Sequence, residues 1–232
     1  IVFDIDGTLT PIEEGIQIIV KCLRKKKKLV FITGRPRSFC LELAERIQEK
    51  LPARSSALAQ SILFYCSNGS EAFSVAGGVH KIRKPIPDAS KKRIYEVLHT
   101  LGLEISSERD YRIIATYKDK DKNPNKLLAY KEQLKTLPEC SGLGIYLIKW
   151  GEGVSEFNAI DICSSSKKAA IDDLFQESSI SHVVIGDDPE NSDHEIIGDL
   201  DISVEGFGIL KTKAVVKALL SHAPWTSFRS KI

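Results

Sequence analysis

The first ten residues, IVFDIDGTLT, constrain the fold of this chain more than any other stretch. Three apolar residues predict a short buried strand, and Asp4 and Asp6 follow it two positions apart. Side chains alternate between the faces of a strand, so these carboxylates share a side if the strand geometry continues. Two neighbouring carboxylates are costly to bury, but a divalent cation makes the arrangement tolerable, and Mg²⁺ prefers oxygen ligands. A carboxylate held there is also able to attack phosphorus. The alternative is a strand that ends in a solvated turn.

Three further segments place polar residues at the end of a strand or the start of a helix. Residues 29–35, LVFITGR, form an apolar strand that ends in Thr33 and Gly34, and residues 166–168, Ser-Lys-Lys, open a helical pattern. Residues 183–188, VVIGDD, predict another buried strand that ends in carboxylates. Ligands in open α/β sheets bind at the carboxyl ends of the strands, so we expect these segments to converge in space.

These four segments, in this order, resemble the motifs of the haloacid dehalogenase (HAD) phosphohydrolase superfamily. The motifs of that superfamily are Asp-x-Asp-Gly-Thr, a Thr or Ser at a strand end, a Lys, and an acidic Gly-Asp loop. All four are present and together they span nearly the whole chain. The resemblance implies a Rossmann-like parallel sheet core, Mg²⁺ as the cofactor and a small phosphorylated molecule as the substrate.

The resemblance also implies a role for each motif residue. Asp4 is the nucleophile that carries the phosphoryl group as an acyl phosphate. Asp6 is the general acid and base, and its backbone carbonyl contacts the metal. Lys167 offsets the negative charge on Asp4 and on the phosphoryl oxygens. Asp187, in the acidic loop, is a metal ligand together with Asp4 and Asp6.

Thr33 and Gly34 are the expected phosphate contacts of the second motif. Thr33 offers a hydroxyl, and the amide of Gly34 is able to point at a phosphate oxygen. Arg35, the next residue, is either a phosphate contact or a member of a surface ion pair. The alternative for the pair Thr33-Gly34 is a strand-ending turn without a ligand.

Two positions of the motifs remain ambiguous in the sequence. Lys168 adjoins Lys167, and the pattern Ser-Lys-x-x-Ala-Ile favours Lys167 as the motif lysine. The acidic loop departs from the common Gly-Asp-x-x-Asn-Asp pattern, so its second acid is either Asp188 or Asp193.

Helical patterns alternate with strand-like runs, which predicts an α/β fold with a parallel sheet and helices on both faces. The predicted strands of this sheet are residues 1–3, 29–33, 62–66, 160–163 and 183–185.

A different pattern between residues 74 and 157 predicts a compact α+β insert. Its predicted elements are a helix at 89–101, a strand at 111–117, a polar turn at 119–125, a helix at 126–137 and a strand at 144–150. We therefore predict a core domain of residues 1–73 and 158–232 and a cap domain of residues 74–157. In the resembled superfamily an insert at this point is an α/β lid over the active site, as in Cof-like sugar phosphatases, trehalose- and sucrose-phosphate phosphatases and phosphomannomutases.

Four side chains are candidates for contact with the substrate beyond the phosphoryl group. Asn68 lies in Ser-Asn-Gly, which matches an Asn-Gly that those relatives carry just before the cap, and it is expected to bind substrate or brace the loops. Arg112, Lys118 and Lys149 lie on predicted cap strands. For each of these three, a solvated face of the sheet is the favoured alternative.

The composition excludes several classes of partner. A net charge of +2 provides no global field for nucleic acid or membrane surfaces. No apolar run approaches the roughly 20 residues that span a bilayer, and no signal peptide is apparent. The five cysteines form no CxxC pair, so we expect reduced, packed thiols in a cytoplasmic protein.

The sequence therefore predicts a Mg²⁺-dependent phosphatase that forms an aspartyl-phosphate and acts on a small phosphorylated sugar or related metabolite. A phosphomannomutase-like phosphosugar mutase, which returns the phosphoryl group to the sugar, is the enzymatic alternative. A catalytically silent HAD scaffold is the non-enzymatic alternative, although such a chain would be expected to lose Asp4, Asp6 or the motif lysine.

Overall fold

The computed structural model describes residues 1–82, 84–117, 124–149, 157–177, 183–186, 200–203 and 208–221. Strands within these residues are β1 (Val2–Phe3), β2 (Val30–Ile32), β3 (Leu63–Cys66), β4 (Glu71–Ser74), β5 (Gly78–Ile82), β6 (Leu103–Arg109), β7 (Arg112–Tyr117), β8 (Gly144–Ile148), β9 (Ala159–Cys163), β10 (Val183–Gly186) and β11 (Leu200–Ser203). Helices are α1 (Ile12–Arg24), α2 (Arg37–Glu49), α3 (Ser56–Gln60), α4 (Asp88–Thr100), α5 (Pro124–Lys135), α6 (Lys167–Glu177) and α7 (Gly208–Leu220).

The first sheet has the order β11-β10-β1-β2-β3-β4-β5 and is parallel from β11 to β3. β4 and β5 then add antiparallel hairpin strands at one edge. Helices α1, α2, α3 and α7 pack on one face through a large apolar cluster, and α6 packs on the other through Ala170, Ile171 and Leu174. The predicted α/β core with a parallel sheet and helices on both faces is confirmed.

A column of four phenylalanines crosses the buried face of this sheet. Phe3, Phe31, Phe64 and Phe73 are register partners on adjacent strands β1 to β4. Their ring centroids are stacked 6.0, 5.1 and 5.2 Å apart. The column makes the strands that carry the first two motifs part of the rigid core, since each buried aromatic removes a large apolar area from water.

Gly15 in α1 has no room for a side chain. A methyl group there would overlap the backbone carbonyl oxygen of Leu9, in the loop that follows the first motif. Alanine is favoured over glycine inside a helix by about 1 kcal/mol, but overpacking a core costs about 1–3 kcal/mol. We therefore expect Gly15→Ala to lower the free energy of unfolding, as measured by urea denaturation. Gln17→Ala, at an exposed position of the same helix, is the control; an unchanged or higher stability of Gly15→Ala would contradict the expectation.

The second sheet has four strands in the antiparallel order β6-β7-β9-β8. One face is apolar and packs against α4 and α5, burying Ile113, Ile145, Ile160 and Ile162. The helices predicted at 89–101 and 126–137 and the strands predicted at 111–117 and 144–150 are present within one or two residues. The polar turn predicted at 119–125 lies almost wholly outside the described residues.

The expected position of the strand near residues 160–163 is wrong. β9 does not join the parallel sheet; it pairs antiparallel with β7 and β8 in the second sheet. Conversely, β4 and β5 extend the first sheet to Ile82. The predicted domain bounds stay a prediction, and we propose from the strand pairing that the second domain runs from about residue 84 to residue 163.

The five thiols are buried and none is in a disulfide. Burial raises the pKa of Cys22 and of Cys140 to about 11, so both thiols stay protonated near neutral pH. Among the described helices, none has the length and apolar character required to cross a bilayer.

Candidate active site

The predicted site residues gather at the carboxyl edge of the first sheet. Asp4 follows β1, Thr33 follows β2 and Asn68 follows β3, and these three strands are neighbours in the sheet. The backbone N–H of Asp4 donates to the carbonyl of Ile185 on β10, at 3.0 Å. β1 lies where the connections of a doubly wound sheet change direction, which is the usual ligand position in such folds.

Asp4 and Lys167 form a buried ion pair although 163 residues separate them in sequence. Lys167 Nζ donates to Asp4 Oδ1 at 2.9 Å, and the two side chains are 5% and 6% exposed. In a pair this deeply buried, each charge offsets the cost of burying the other. The ion pair therefore holds an anionic carboxylate at the end of β1.

The start of α6 aims Lys167 at Asp4. Ser166 Oγ accepts a hydrogen bond from the N–H of Ala169 at 3.1 Å, which caps the helix. The N–H of Lys167 itself donates to the hydroxyl of Tyr146, on β8 of the second sheet, at 3.1 Å. Lys168 points to solvent, where it pairs with Asp172 at 2.8 Å. The structure places Lys167, and not Lys168, against the carboxylate.

Asp6 faces a different cation. Arg35 donates through Nε to Asp6 Oδ2 at 2.9 Å, and Nη2 donates to Oδ1, which makes a bidentate pair. The hydrogen bonds to Asp6 raise the pKa of Arg35 above its ordinary value. Both side chains are nearly half exposed, so the pair contributes no more than about 1 kcal/mol to stability. The guanidinium carbon also lies 4.9 Å from the centre of the Phe39 ring. Of the two interpretations of Arg35, the structure shows the ion pair.

The loop of the second motif is held by hydrogen bonds on both sides. Thr33 is fully buried, and its Oγ1 accepts the N–H of Arg35 at 3.1 Å. The Thr33 carbonyl accepts the N–H of Asn68, and the Arg35 carbonyl accepts the N–H of Ser67, each at 2.9 Å. The loops after β2 and β3 therefore form one rigid unit.

Asn68 braces this unit. Its backbone is left-handed, with φ of 55°, and Ser67 before it has φ of 48°. Asparagine tolerates that conformation better than most residues. Its side chain is buried, and Nδ2 donates to Asp161 Oδ2 at 3.3 Å. Asn68 Oδ1 lies so close to Gly34 that a Cβ on that glycine would be 3.4 Å away. The predicted bracing role fits this geometry.

The candidate substrate contacts of the second domain have different surroundings. Arg112 is partly buried, with its side chain 13% exposed, and it pairs with Asp161 through Nη2, which donates to Oδ2 at 2.7 Å. Lys149 is exposed and lies 5.7 Å from the ring centre of Phe157. Lys118 lies outside the described residues.

Sequence reasoning missed Asp161 and Tyr146. Asp161 is an isolated acid in the apolar run AIDIC, and an acid in a buried strand requires a partner. The sequence therefore indicated that Asp161 has a buried partner. Nothing in the sequence indicates that the hydroxyl of Tyr146 meets the start of α6.

The acidic loop of the fourth motif is the part of the site that lies outside the described residues. Gly186 ends β10, and Asp187, Asp188 and Asp193 follow it in the undescribed stretch 187–199. Among the described residues, no group of three His, Cys, Asp or Glu side chains is close enough to hold a metal. Asp4 and Asp6, which follow β1, are the described carboxylates of the first motif.

The fold and this site define an α/β protein with a buried carboxylate–lysine pair after its first core strand and an inserted second domain. Residues 1–142 match the family of haloacid dehalogenase-like hydrolases. Because the match covers more than half of the chain, the chain belongs to that family. Among curated proteins, none matches significantly.

Solved structures share the fold at low sequence identity. The IMP-nucleotidase of Plasmodium falciparum is 16% identical with a TM-score of 0.66; the match covers 98% of this chain and 63% of that one. A trehalose-6-phosphate phosphatase from Aspergillus fumigatus is 13% identical with a TM-score of 0.57, covering 95% of this chain and 91% of that one. The Thermotoga maritima protein TM0651 is 18% identical with a TM-score of 0.57, covering 96% of each chain. The chain thus spans less than two thirds of the nucleotidase, and these likenesses show the fold alone.

Proposed function

We propose that this chain is a Mg²⁺-dependent phosphomonoester hydrolase with Asp4 as the nucleophile. The observation that carries the proposal is the buried pair between Asp4 Oδ1 and Lys167 Nζ, 2.9 Å apart at the carboxyl edge of the sheet. A carboxylate in such a place remains ionised and is oriented by its partner. It therefore has the two properties that a nucleophile toward phosphorus needs.

In the first step, an Asp4 oxygen attacks phosphorus and the bond between phosphorus and the ester oxygen breaks. Asp6, entering as the carboxylic acid, gives its proton to the departing alcohol. Lys167 and the hydroxyl of Thr33 stabilise the charge that develops on the phosphoryl oxygens. The product of this step is an acyl phosphate on Asp4.

In the second step, a water molecule attacks the phosphorus of the acyl phosphate. Asp6, now the carboxylate, takes a proton from that water, and the bond between phosphorus and the Asp4 oxygen breaks. Inorganic phosphate leaves, and both aspartates return to their starting states. Arg35 donates hydrogen bonds to both oxygens of Asp6, so the protonation of Asp6 that the first step needs competes with this ion pair.

The donor set fits a magnesium ion. Asp4 and Asp6 offer oxygen ligands at one sheet edge, and oxygen is the donor that Mg²⁺ takes in proteins. We propose Asp4, Asp6 and Asp187 as the residues that would hold it, with Asp188 or Asp193 as a further acid. When bound, the ion supplies positive charge beside the phosphoryl oxygens.

The substrate class rests on the second domain and on the structural neighbours. We propose a small phosphorylated sugar or related metabolite, because the second sheet contacts the site at Gly34 and at Lys167, where it is placed to contact the substrate beyond the phosphoryl group. One neighbour is a trehalose-6-phosphate phosphatase and another is an IMP-nucleotidase. We propose a cytoplasmic location, since the described thiols are all reduced.

Removal of divalent metal is expected to abolish hydrolysis. Phosphate release is measured with an aryl phosphate, hexose 6-phosphates, trehalose 6-phosphate and IMP, in Mg²⁺ and after addition of EDTA. We expect turnover of at least one substrate to fall to background in EDTA and to return when Mg²⁺ is restored, because the ion would then no longer supply positive charge beside the phosphoryl oxygens. EDTA already saturated with Mg²⁺ is the control. Undiminished hydrolysis in EDTA would contradict the metal requirement, and no release from any substrate would contradict the phosphatase.

A further inference from the structure

The second sheet turns one polar face toward the first sheet. Arg112 on β7 is the register partner of Cys163 on β9, and Asp161 is the partner of Tyr146 on β8. These four side chains therefore share one face, opposite to the apolar face that packs on α4 and α5. All four form hydrogen bonds with residues of the candidate site, namely Gly34, Asn68 and Lys167. The proposed reaction uses neither Arg112 nor Asp161.

Asp161 is the centre of this face. It is fully buried and accepts four hydrogen bonds from described residues. Arg112 donates through Nε to Oδ1 at 2.8 Å and through Nη2 to Oδ2 at 2.7 Å. Cys163 Sγ donates to Oδ1 and Asn68 Nδ2 to Oδ2, each at 3.3 Å. The bidentate geometry fixes the guanidinium plane of Arg112.

Arg112 keeps its charge inside this network. Burial opposes that charge, but the attraction and hydrogen bonds of Asp161 outweigh burial and raise the pKa of Arg112 above its ordinary value. Its third donor group is therefore a cationic N–H held in one direction.

That third group reaches the first domain. Arg112 Nη1 donates to the backbone carbonyl of Gly34 at 3.0 Å, across 78 residues of sequence. The same peptide unit carries the N–H of Arg35, which donates to Thr33 Oγ1 at 3.1 Å. Because a peptide is planar, fixing its carbonyl also fixes its N–H. With its oxygen accepting from Arg35, the Thr33 hydroxyl keeps its proton for another acceptor.

We propose that Arg112, anchored by Asp161, is a positioning residue that orients the Gly34–Arg35 peptide and, through it, the phosphate-binding hydroxyl of Thr33. The proposal rests on the phosphatase function given above. Arg112 belongs to the second domain, but it would affect how the phosphoryl group is held, and every substrate has that group. It would not affect recognition of the alcohol part, which differs from substrate to substrate.

Arg112→Lys tests this role. Lysine keeps the charge but lacks the planar guanidinium group, which donates hydrogen bonds to Asp161 and to the Gly34 carbonyl at the same time. We expect kcat/KM to fall about 10- to 100-fold, since small misplacements of positioning groups have effects of that size. The fall should be equal for an aryl phosphate, a hexose 6-phosphate and a nucleoside monophosphate, and inhibition by inorganic phosphate should weaken in parallel.

A double-mutant cycle with Thr33→Val distinguishes an effect of Arg112 through the Thr33 hydroxyl from a purely structural role of Arg112. If Arg112 acts through the Thr33 hydroxyl, Arg112→Lys should cost less than about 3-fold once that hydroxyl is absent, because contacts in one network are not additive. Lys91→Met, which breaks the pair between Lys91 and Glu108 on the same domain, is the matched control and should leave kcat/KM unchanged.

Additive losses, a loss confined to one substrate, or no loss would overturn the positioning role while leaving the phosphatase intact. If Arg112→Lys does not fold, Asp161→Asn takes its place in the cycle, with the same expected loss. Failure of both variants to fold, while Lys91→Met folds, would make the network structural and overturn the proposal. A folded wild-type protein that hydrolyses nothing would overturn the proposed function itself.

Discussion

Replacement of Asp4 with asparagine is expected to lower phosphate release by on the order of 10⁴-fold or more, as losses of a catalytic nucleophile do. An amide has no anionic oxygen with which to attack phosphorus, so the acyl phosphate cannot form. The reaction is followed by phosphate release under saturating Mg²⁺. Rapid quenching during turnover should show a phosphorylated wild-type protein and an unmodified variant.

Asp172→Asn is the matched control for Asp4→Asn. It removes an aspartate that also pairs with a lysine, Lys168, but on the exposed surface of α6. This change should leave kcat within about 2-fold of wild type, since exposed pairs contribute little. An Asp4→Asn variant that is folded and retains a tenth of the wild-type activity would identify a different nucleophile.

Lys167→Met is expected to have the second largest effect. Removal of one charged donor from a catalytic site typically lowers kcat by about 10²–10³-fold. The variant also removes the ammonium group that pairs with the buried Asp4 carboxylate, and breaking a buried pair costs about 3–5 kcal/mol of stability. Phosphate release and urea denaturation measure the two effects on the same preparation.

Lys168→Met distinguishes the two adjacent lysines. Lys168 is exposed and faces Asp172, so its loss should change neither kcat nor the free energy of unfolding by more than a small amount. Equal losses in the two variants, or a larger loss in Lys168→Met, would contradict the assignment of Lys167 as the lysine of the site.

The position of the site could be predicted from the sequence because local patterns determine it. An apolar run followed by polar residues indicates the end of a buried strand, and the ends of parallel strands meet at one edge. Asp4 and Thr33 therefore fall where the sequence places them. The choice between Lys167 and Lys168 required the structure, because consecutive helix residues point about 100° apart and the sequence does not fix how α6 is rotated.

The sheet to which the strand near residue 160 belongs could not be predicted from its sequence pattern. A short apolar run looks the same whether it joins a parallel or an antiparallel sheet, and β9 joins the second sheet. The expectation of a core strand failed for that reason. The isolated Asp161 within that run indicated a buried partner, but not its identity.

By itself the sequence determined the α/β core, the inserted domain and the residues that end the core strands, because each follows from a periodicity or a neighbouring residue. Only the tertiary structure decided which partner each charge finds. Lys167 meets Asp4 across 163 residues, and Arg112 meets Asp161 across 49 and the Gly34 carbonyl across 78. Such pairs form because burial removes water from both partners, and burial depends on how the two sheets pack, which no local pattern encodes.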